Sequence, residues 1–197
     1  GPIKVIETGV DGASDAEYLV LSMATFNEGE PFEANRLAEY NLALSSSQYF
    51  SRIQILPRQQ QHNGHRLPID VQITKKPANS VELGGGVSSN VGVRGRIKWT
   101  KPWINKYGHS IGSELDLSGK KQAVSASYKI PIEDPIDNYA RIVTGWQRIN
   151  NEDTDSRKLT LQLQRQWLLA SDWKRTAFVK FEQEDFRQGS EPAQETN

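Results

Sequence analysis

Three groups of side chains in this sequence are of the types that hold ions or ligands. His62 and His65 stand three apart in the tip QQQHNGH, but zinc needs three or four ligands, and without a third donor the pair reads as part of a solvated loop. Glu133, Asp134 and Asp137, and again Glu152, Asp153 and Asp155, are carboxylate clusters of the kind calcium takes. Lying on connections between apolar segments, they read first as solvated loops. Arg94, Arg96 and Lys98 alternate, which places them on one face of a strand. There they could attract anionic groups, or pair with Glu114 and Asp116 on the next segment. The sequence has no cysteine, which excludes a disulfide scaffold, a thiolate zinc site and a cysteine nucleophile. No nucleophile–base pair, phosphate loop or metal triad occurs at a workable spacing. No catalytic, cofactor-binding or metal residue is therefore assigned, and the expectation is a protein that is not an enzyme.

The elements that must carry these residues follow two different periodicities. Residues 1–78 read as a mixed α/β unit. A strand over Ile3–Glu7 precedes a turn with Gly9, Asp11 and Gly12. Ser14 or Asp15 can cap a helix running to Met23, with Ala16, Leu19, Val20 and Met23 on one face. After Gly29 and Pro31 a second helix is predicted over Glu33–Ser46, its stripe formed by Leu37, Tyr40 and Leu44 with Ala34 and Ala38. Tyr49 and Phe50 then lead into strands over Arg52–Leu56 and Leu67–Thr74, with Asn63-Gly64 as a hairpin signal between them. Leu19, Leu37, Leu44 and Phe50 are the expected core.

Residues 79–197 lose the helical period. They alternate in blocks of about ten, the length of a membrane-spanning strand. Seven strands are predicted: Val81–Ser89, Val93–Lys101, His109–Ser118, Lys121–Ile130, Tyr139–Ile149, Lys158–Leu168 and Trp173–Glu184. Ile97, Trp99, Val124, Ala126, Tyr128, Leu161 and Leu163 fall on one side. Arg96, Lys98, Ser125, Ser127, Gln162 and Gln164 fall on the other. A soluble sheet packing its apolar side on a core alternates in the same way, so a β-sandwich or a lipocalin-like ligand carrier stays open. Charge crowding the polar side favours a wet lumen with lipid on the apolar side. Five tryptophans, Trp99, Trp103, Trp146, Trp167 and Trp173, fall mostly near strand ends, where aromatic girdles meet the membrane interface. The segments SSNVG and NNEDTDS read as external loops. KPWINKYG and PIEDPIDN, on the opposite side, are longer than periplasmic turns usually are. The 24 basic and 24 acidic residues cancel, leaving no whole-chain field to attract nucleic acid.

The order FNEGEPF, leucine-spaced helix, SSSQYFSRIQILP over Phe26–Pro57 resembles a POTRA domain, whose elements run β-α-α-β-β. VELGGGVSSNVGVRGRIKWTKPWINKYGHSIGSELDLS is similar to the join between the last POTRA domain and the opening barrel strands in the TamA family, translocation and assembly module proteins related to BamA. VSASYKIPIEDP and DWKRTAFVKFEQEDFRQG resemble that family's following strands, so the likeness covers essentially the whole chain. It implies an α+β POTRA domain over 1–78, in the periplasm, and the first strands of an antiparallel β-barrel in the bacterial outer membrane over 79–197. It implies insertion or export of autotransporter-type outer-membrane clients, a TamB-like inner-membrane-anchored partner and a role in envelope lipid traffic. The family barrel has about sixteen strands and bacterial barrels are even-numbered, so seven strands are expected to need completion by others. Two-partner-type secretion pores, which also join POTRA domains to a barrel, are the alternative within the same architecture.

Two stretches are the candidate working surfaces. In Val81, Glu82, Leu83, Gly84, Gly85, Gly86, Val87 and Ser88 three glycines weaken a strand by roughly 0.5–1 kcal/mol each relative to alanine. Such a strand can open a seam to an incoming client, or the glycines can merely permit close packing at the wall. Arg52, Ile53, Gln54, Ile55 and Leu56 form the expected POTRA edge, able to add a client strand or to serve only in docking the domain.

Overall fold

A computed structural model describes residues 2–9, 14–27, 29–31, 33–58, 67–89, 92–151, 154–169 and 173–188. The two periodicities become two sheets. The first is built from β1 (Ile3–Glu7), α1 (Glu17–Ser22), α2 (Ala34–Ser46), β2 (Phe50–Pro57) and β3 (Ile69–Lys75). Its strand order is β1-β3-β2, with β1 parallel and β2 antiparallel to β3. In the central strand β3 the alternate residues Ile69, Val71 and Ile73 are buried. The helices lie on this sheet. Ala16, Leu19, Val20 and Met23 are buried as their spacing predicts, and the Tyr40 hydroxyl donates to the Val20 carbonyl at 2.7 Å, joining α2 to α1. Ser14 does not cap α1 in the usual way. Its hydroxyl accepts from the Ala16 N–H at 3.0 Å and donates to Glu7 at 2.6 Å, fastening the helix start to β1.

The apolar stripe of α2 is narrower than predicted. Tyr40 and Leu44 are buried, Leu37 is half-buried at the rim of the core, and Ala34 and Ala38 face outward. A single helix lying on a three-stranded sheet buries only the residues within about a quarter turn of the contact line, and the alanines lie beyond it. Leu37→Ala is therefore expected to cost only about 1–2 kcal/mol, below the range of roughly 2–5 kcal/mol for fully buried leucines. Urea unfolding of the wild type and variant measures the difference; a loss as large as that of Leu44→Ala would mean that Leu37 sits deeper than described.

The second sheet is a seven-stranded antiparallel meander of β4 (Ser80–Ser88), β5 (Gly92–Lys101), β6 (Ser110–Ser118), β7 (Lys121–Pro131), β8 (Tyr139–Asn151), β9 (Thr154–Leu168) and β10 (Lys174–Gln188). Its register aligns the alternation of every strand. Leu83, Ile97, Leu115, Val124, Trp146 and Leu159 form one continuous cross-strand row. The adjacent row on the opposite face is Glu82, Lys98, Glu114, Ser125, Gly145, Thr160 and Glu182.

Curvature distinguishes the two faces. Along β9 the apolar Leu159, Leu161 and Leu163 are exposed, while the intervening Lys158, Thr160, Gln162 and Gln164 are half-sheltered. The sheet therefore curls around its polar side and turns its apolar side outward, as a membrane barrel does and opposite to a soluble carrier.

The connections correct one sequence expectation. NNEDTDS is mostly strand: Asn150 pairs with Asp155 and Asn151 with Thr154, so β8 and β9 run on almost to the turn. Asp155 can occupy a strand because Arg148 holds it through two contacts of 3.1 and 3.3 Å. At that end β6 and β7 are likewise joined by only two residues, 119–120, whereas at the other end residues 102–109 and 132–138 link β5 to β6 and β7 to β8.

Candidate functional surfaces: a free strand edge and two docked turns

The long connections are long because they carry the residues that join the two sheets. In 102–109, Trp103 lies edge-on to Tyr49 and Phe50, with centroids 5.1 and 5.8 Å away, and its indole N–H donates to the Tyr49 carbonyl at 3.1 Å. The spacing predicts Trp103 in an interfacial girdle; it is instead half-buried and packed against the α/β core. Spacing alone could not tell a girdle tryptophan from one reaching back toward a partner 54 residues earlier.

Gly108, which closes the turn begun at Asn105, has φ +77°, and its carbonyl accepts from the Tyr49 hydroxyl at 2.9 Å. A methyl group there would lie 2.7 Å from a Leu19 methyl, so only glycine fits both the backbone and the space. Burial pushes the Tyr49 phenol up to about 12, so it stays protonated and keeps donating. Gln48 adds a hydrogen bond to Ser110 at 2.8 Å.

The second turn, 132–138, inserts Pro135 and Ile136 against the same region. Its carboxylates serve the turn. Asp134 accepts from the Ile136 N–H at 3.0 Å, Glu133 accepts from the Asn138 side chain, and Asp137 pairs with Lys174 at 2.6 Å. Asp134 is raised above the usual carboxylate range, first by burial, although its backbone hydrogen bond opposes this. Glu152 and Asp153, together with His62, His65 and the Asn63-Gly64 tip, lie outside the described residues.

The polar face settles most of its charge internally. Arg96 contacts Glu114 at 3.3 Å and Asp116 at 3.7 Å, and Lys98 pairs with Glu82 at 3.3 Å. Of the two readings of the Arg94, Arg96 and Lys98 row, cross-strand pairing is the one realised at Arg96, whereas Lys98 reaches across to β4.

β4 is an outer strand, bonded only to β5 among the described residues. The whole predicted seam, Val81 to Ser88, lies in it, and Val81, Leu83 and Val87 are 60, 77 and 83% exposed. None of Gly84, Gly85 and Gly86 has a positive φ, and an added methyl group would meet no atom closer than 3.5 Å. Neither backbone strain nor close packing requires glycine at any of the three. β2, which contains Arg52 to Leu56, is an outer strand of the smaller sheet. Ile53 and Ile55 turn toward its core and Arg52, Gln54 and Leu56 turn outward.

A three-stranded sheet with two helices, docked through two turns onto one end of a curled antiparallel sheet with its apolar face outward, is a fold also found in solved structures. In particular, the chain is similar to the crystal structure of BamA from Haemophilus ducreyi lacking POTRA domains 1–3, with a TM-score of 0.68 and 12% identity over 95% of this chain and 36% of that one. It is also similar to CdiB from Acinetobacter baumannii, with a TM-score of 0.51 and 14% identity over 93% of this chain and 37% of that one. At such identities the likeness is one of fold. The chain spans little more than a third of either structure. No family model matches the sequence.

Proposed function

We propose that this chain is a segment of a TamA-like outer-membrane assembly factor, carrying its last POTRA domain and the N-terminal part of its barrel. In this reading residues 1–78 form a periplasmic POTRA domain and residues 79–197 the first strands of a transmembrane β-barrel. Autotransporter-type clients are inserted or exported by pairing their strands with β4 at a barrel seam. The observation that carries the reading is the glycine run on the free edge of β4, which no packing or backbone constraint demands. In hydrocarbon each unpaired backbone group costs several kcal/mol, so an opened β4 edge strongly templates an incoming strand. The outward apolar face of the sheet supports a membrane setting. The β2 edge, Arg52 to Leu56, is a second strand-addition surface facing the periplasm. A TamB-like inner-membrane-anchored protein and outer-membrane lipids are the further partners.

The glycines make the reading testable. Replacing Gly84, Gly85 and Gly86 together by alanine should strengthen β4 pairing by about 0.5–1 kcal/mol per site and slow client insertion into proteoliposomes several-fold, leaving ion conductance through the barrel unchanged. A secretion pore that never opens its seam would show no change in export. An unaltered insertion rate therefore removes the seam and leaves the pore.

A further inference from the structure

The connection between β9 and β10 lies at the end of the larger sheet that carries the α/β unit, together with the turns 102–109 and 132–138. Its corner is built of aromatic and basic residues. Leu169, Trp173, Lys174, Arg175 and Thr176 border an open hollow of about 470 Å³, and Trp173 is 74% exposed. Trp167 stands directly across from Arg175, on the outward row that continues Leu159, Leu161 and Leu163. Its ring centroid lies 5.8 Å from the guanidinium carbon of Arg175 and 5.9 Å from that of Arg165.

The cations of this corner are not equivalent. Arg165 donates to the Tyr139 carbonyl at 3.2 Å and to the Asn138 side chain, which commits it to holding the turn 132–138. Lys174 is on the opposite face of β10 and pairs with Asp137 at 2.6 Å. Arg175 is exposed, and among the described residues its guanidinium meets the Trp167 ring and no carboxylate. A guanidinium resting on an indole face still has its N–H donors to offer. Its height on the wall says to what. Trp167 is six residues past Leu161 at the middle of β9, about 20 Å along a strand. With a strand tilt of about 40° this is about 15 Å toward the α/β end, just beyond the edge of an apolar band roughly 25 Å tall. Lipid headgroups lie at that level, where tryptophan is enriched and where an arginine fork matches two phosphate oxygens.

We propose that the β9–β10 corner is a binding site for an anionic glycerophospholipid of the periplasmic leaflet. Arg175 takes the phosphate, Trp167 holds the guanidinium in place from beneath, and Trp173 and Leu169 cover the glycerol and the first carbons of the acyl chains. Two observations select a lipid over a free anion: the arginine faces outward, on the side that meets lipid rather than the lumen, and the hollow beside it has apolar walls. The site rests on the membrane reading of the outward face and gives it a particular lipid contact.

The experiment titrates phosphatidylglycerol into the intact protein in detergent micelles and counts the lipid retained by native mass spectrometry, with insertion into liposomes followed in parallel. Arg175→Gln is expected to weaken retention about tenfold, the worth of one hydrogen bond to a charged group. Trp173→Ala should weaken it as well, and Arg175→Lys should retain more than Arg175→Gln. Arg187→Gln, on the same face at the other end of β10, should change nothing, and heat-modifiable mobility confirms that each variant is folded. Glycerol phosphate at the same concentration should leave the lipid in place. Unchanged retention in Arg175→Gln by a protein that still inserts into liposomes overturns the site and leaves the membrane reading. Displacement by glycerol phosphate means that a free phosphate is recognised, and the lipid site falls. A protein that neither inserts nor retains lipid in any variant removes the membrane reading and the site with it.

Discussion

Leu161→Arg is expected to cost about 2–4 kcal/mol of barrel stability, while Gln162→Arg, one residue away, costs close to nothing. Leu161 lies at the middle of β9, between Thr144 and Phe181 on the outward apolar face, and is 45% exposed. If that face meets lipid, Leu161→Arg brings a guanidinium to the centre of the hydrocarbon layer, where neither water nor a carboxylate can reach it. Gln162 is on the sheltered polar face beside Val143 and Lys180, and an arginine there enters a wet, already charged lumen. Folding titrations of the intact protein into liposomes measure both. Equal costs would mean that the apolar face packs on protein or meets water, and the membrane reading would fall with it.

Trp103→Ala is expected to destabilise the α/β unit by about 2–3 kcal/mol, below the range of roughly 3–5 kcal/mol for fully buried aromatic side chains because the indole is half-buried against the core. The indole fills the space beside Tyr49 and Phe50, and Lys75 lies over it at 5.1 Å. Removing it leaves a cavity at the junction and frees a Tyr49 carbonyl that would then bond only the Lys76 N–H. Gly108→Ala should act in the same direction by a different route, through backbone strain and collision with Leu19. Because both residues lie on a turn of the larger sheet, the loss should appear as earlier unfolding of residues 1–78 in urea or by proteolysis, while the strand hydrogen bonds of β6 to β9 persist. A midpoint unmoved by Trp103→Ala would show that the two sheets do not share a core. For the same reason, an isolated fragment of residues 1–78 is expected to be less stable than the same residues in the whole chain.

Period and punctuation alone determined most of the element map. All twelve elements stand within a few residues of their predicted places, and the seven-strand meander keeps the predicted separation of apolar from polar side chains. That is legible because a pleated strand has a period of two and a helix one of 3.6, and both are local properties of the backbone. The boundaries slipped where a long-range pairing extended a polar segment, as Arg148 and Asp155 do for β8 and β9.

What the sequence could not contain was which way the apolar face turns, since a soluble sheet and a membrane sheet alternate alike; that was decided by curvature, a property of all seven strands together. Nor did it reveal that Trp103 and Gly108 belong to a core begun by Leu19 and Tyr49. Contacts between residues 54 to 89 positions apart leave no periodic trace, because they arise only when two sheets have already been brought together. The pairing of Lys129 with Arg141 was hidden for the same reason: they are twelve residues apart and unremarkable until the β7–β8 register sets them opposite each other.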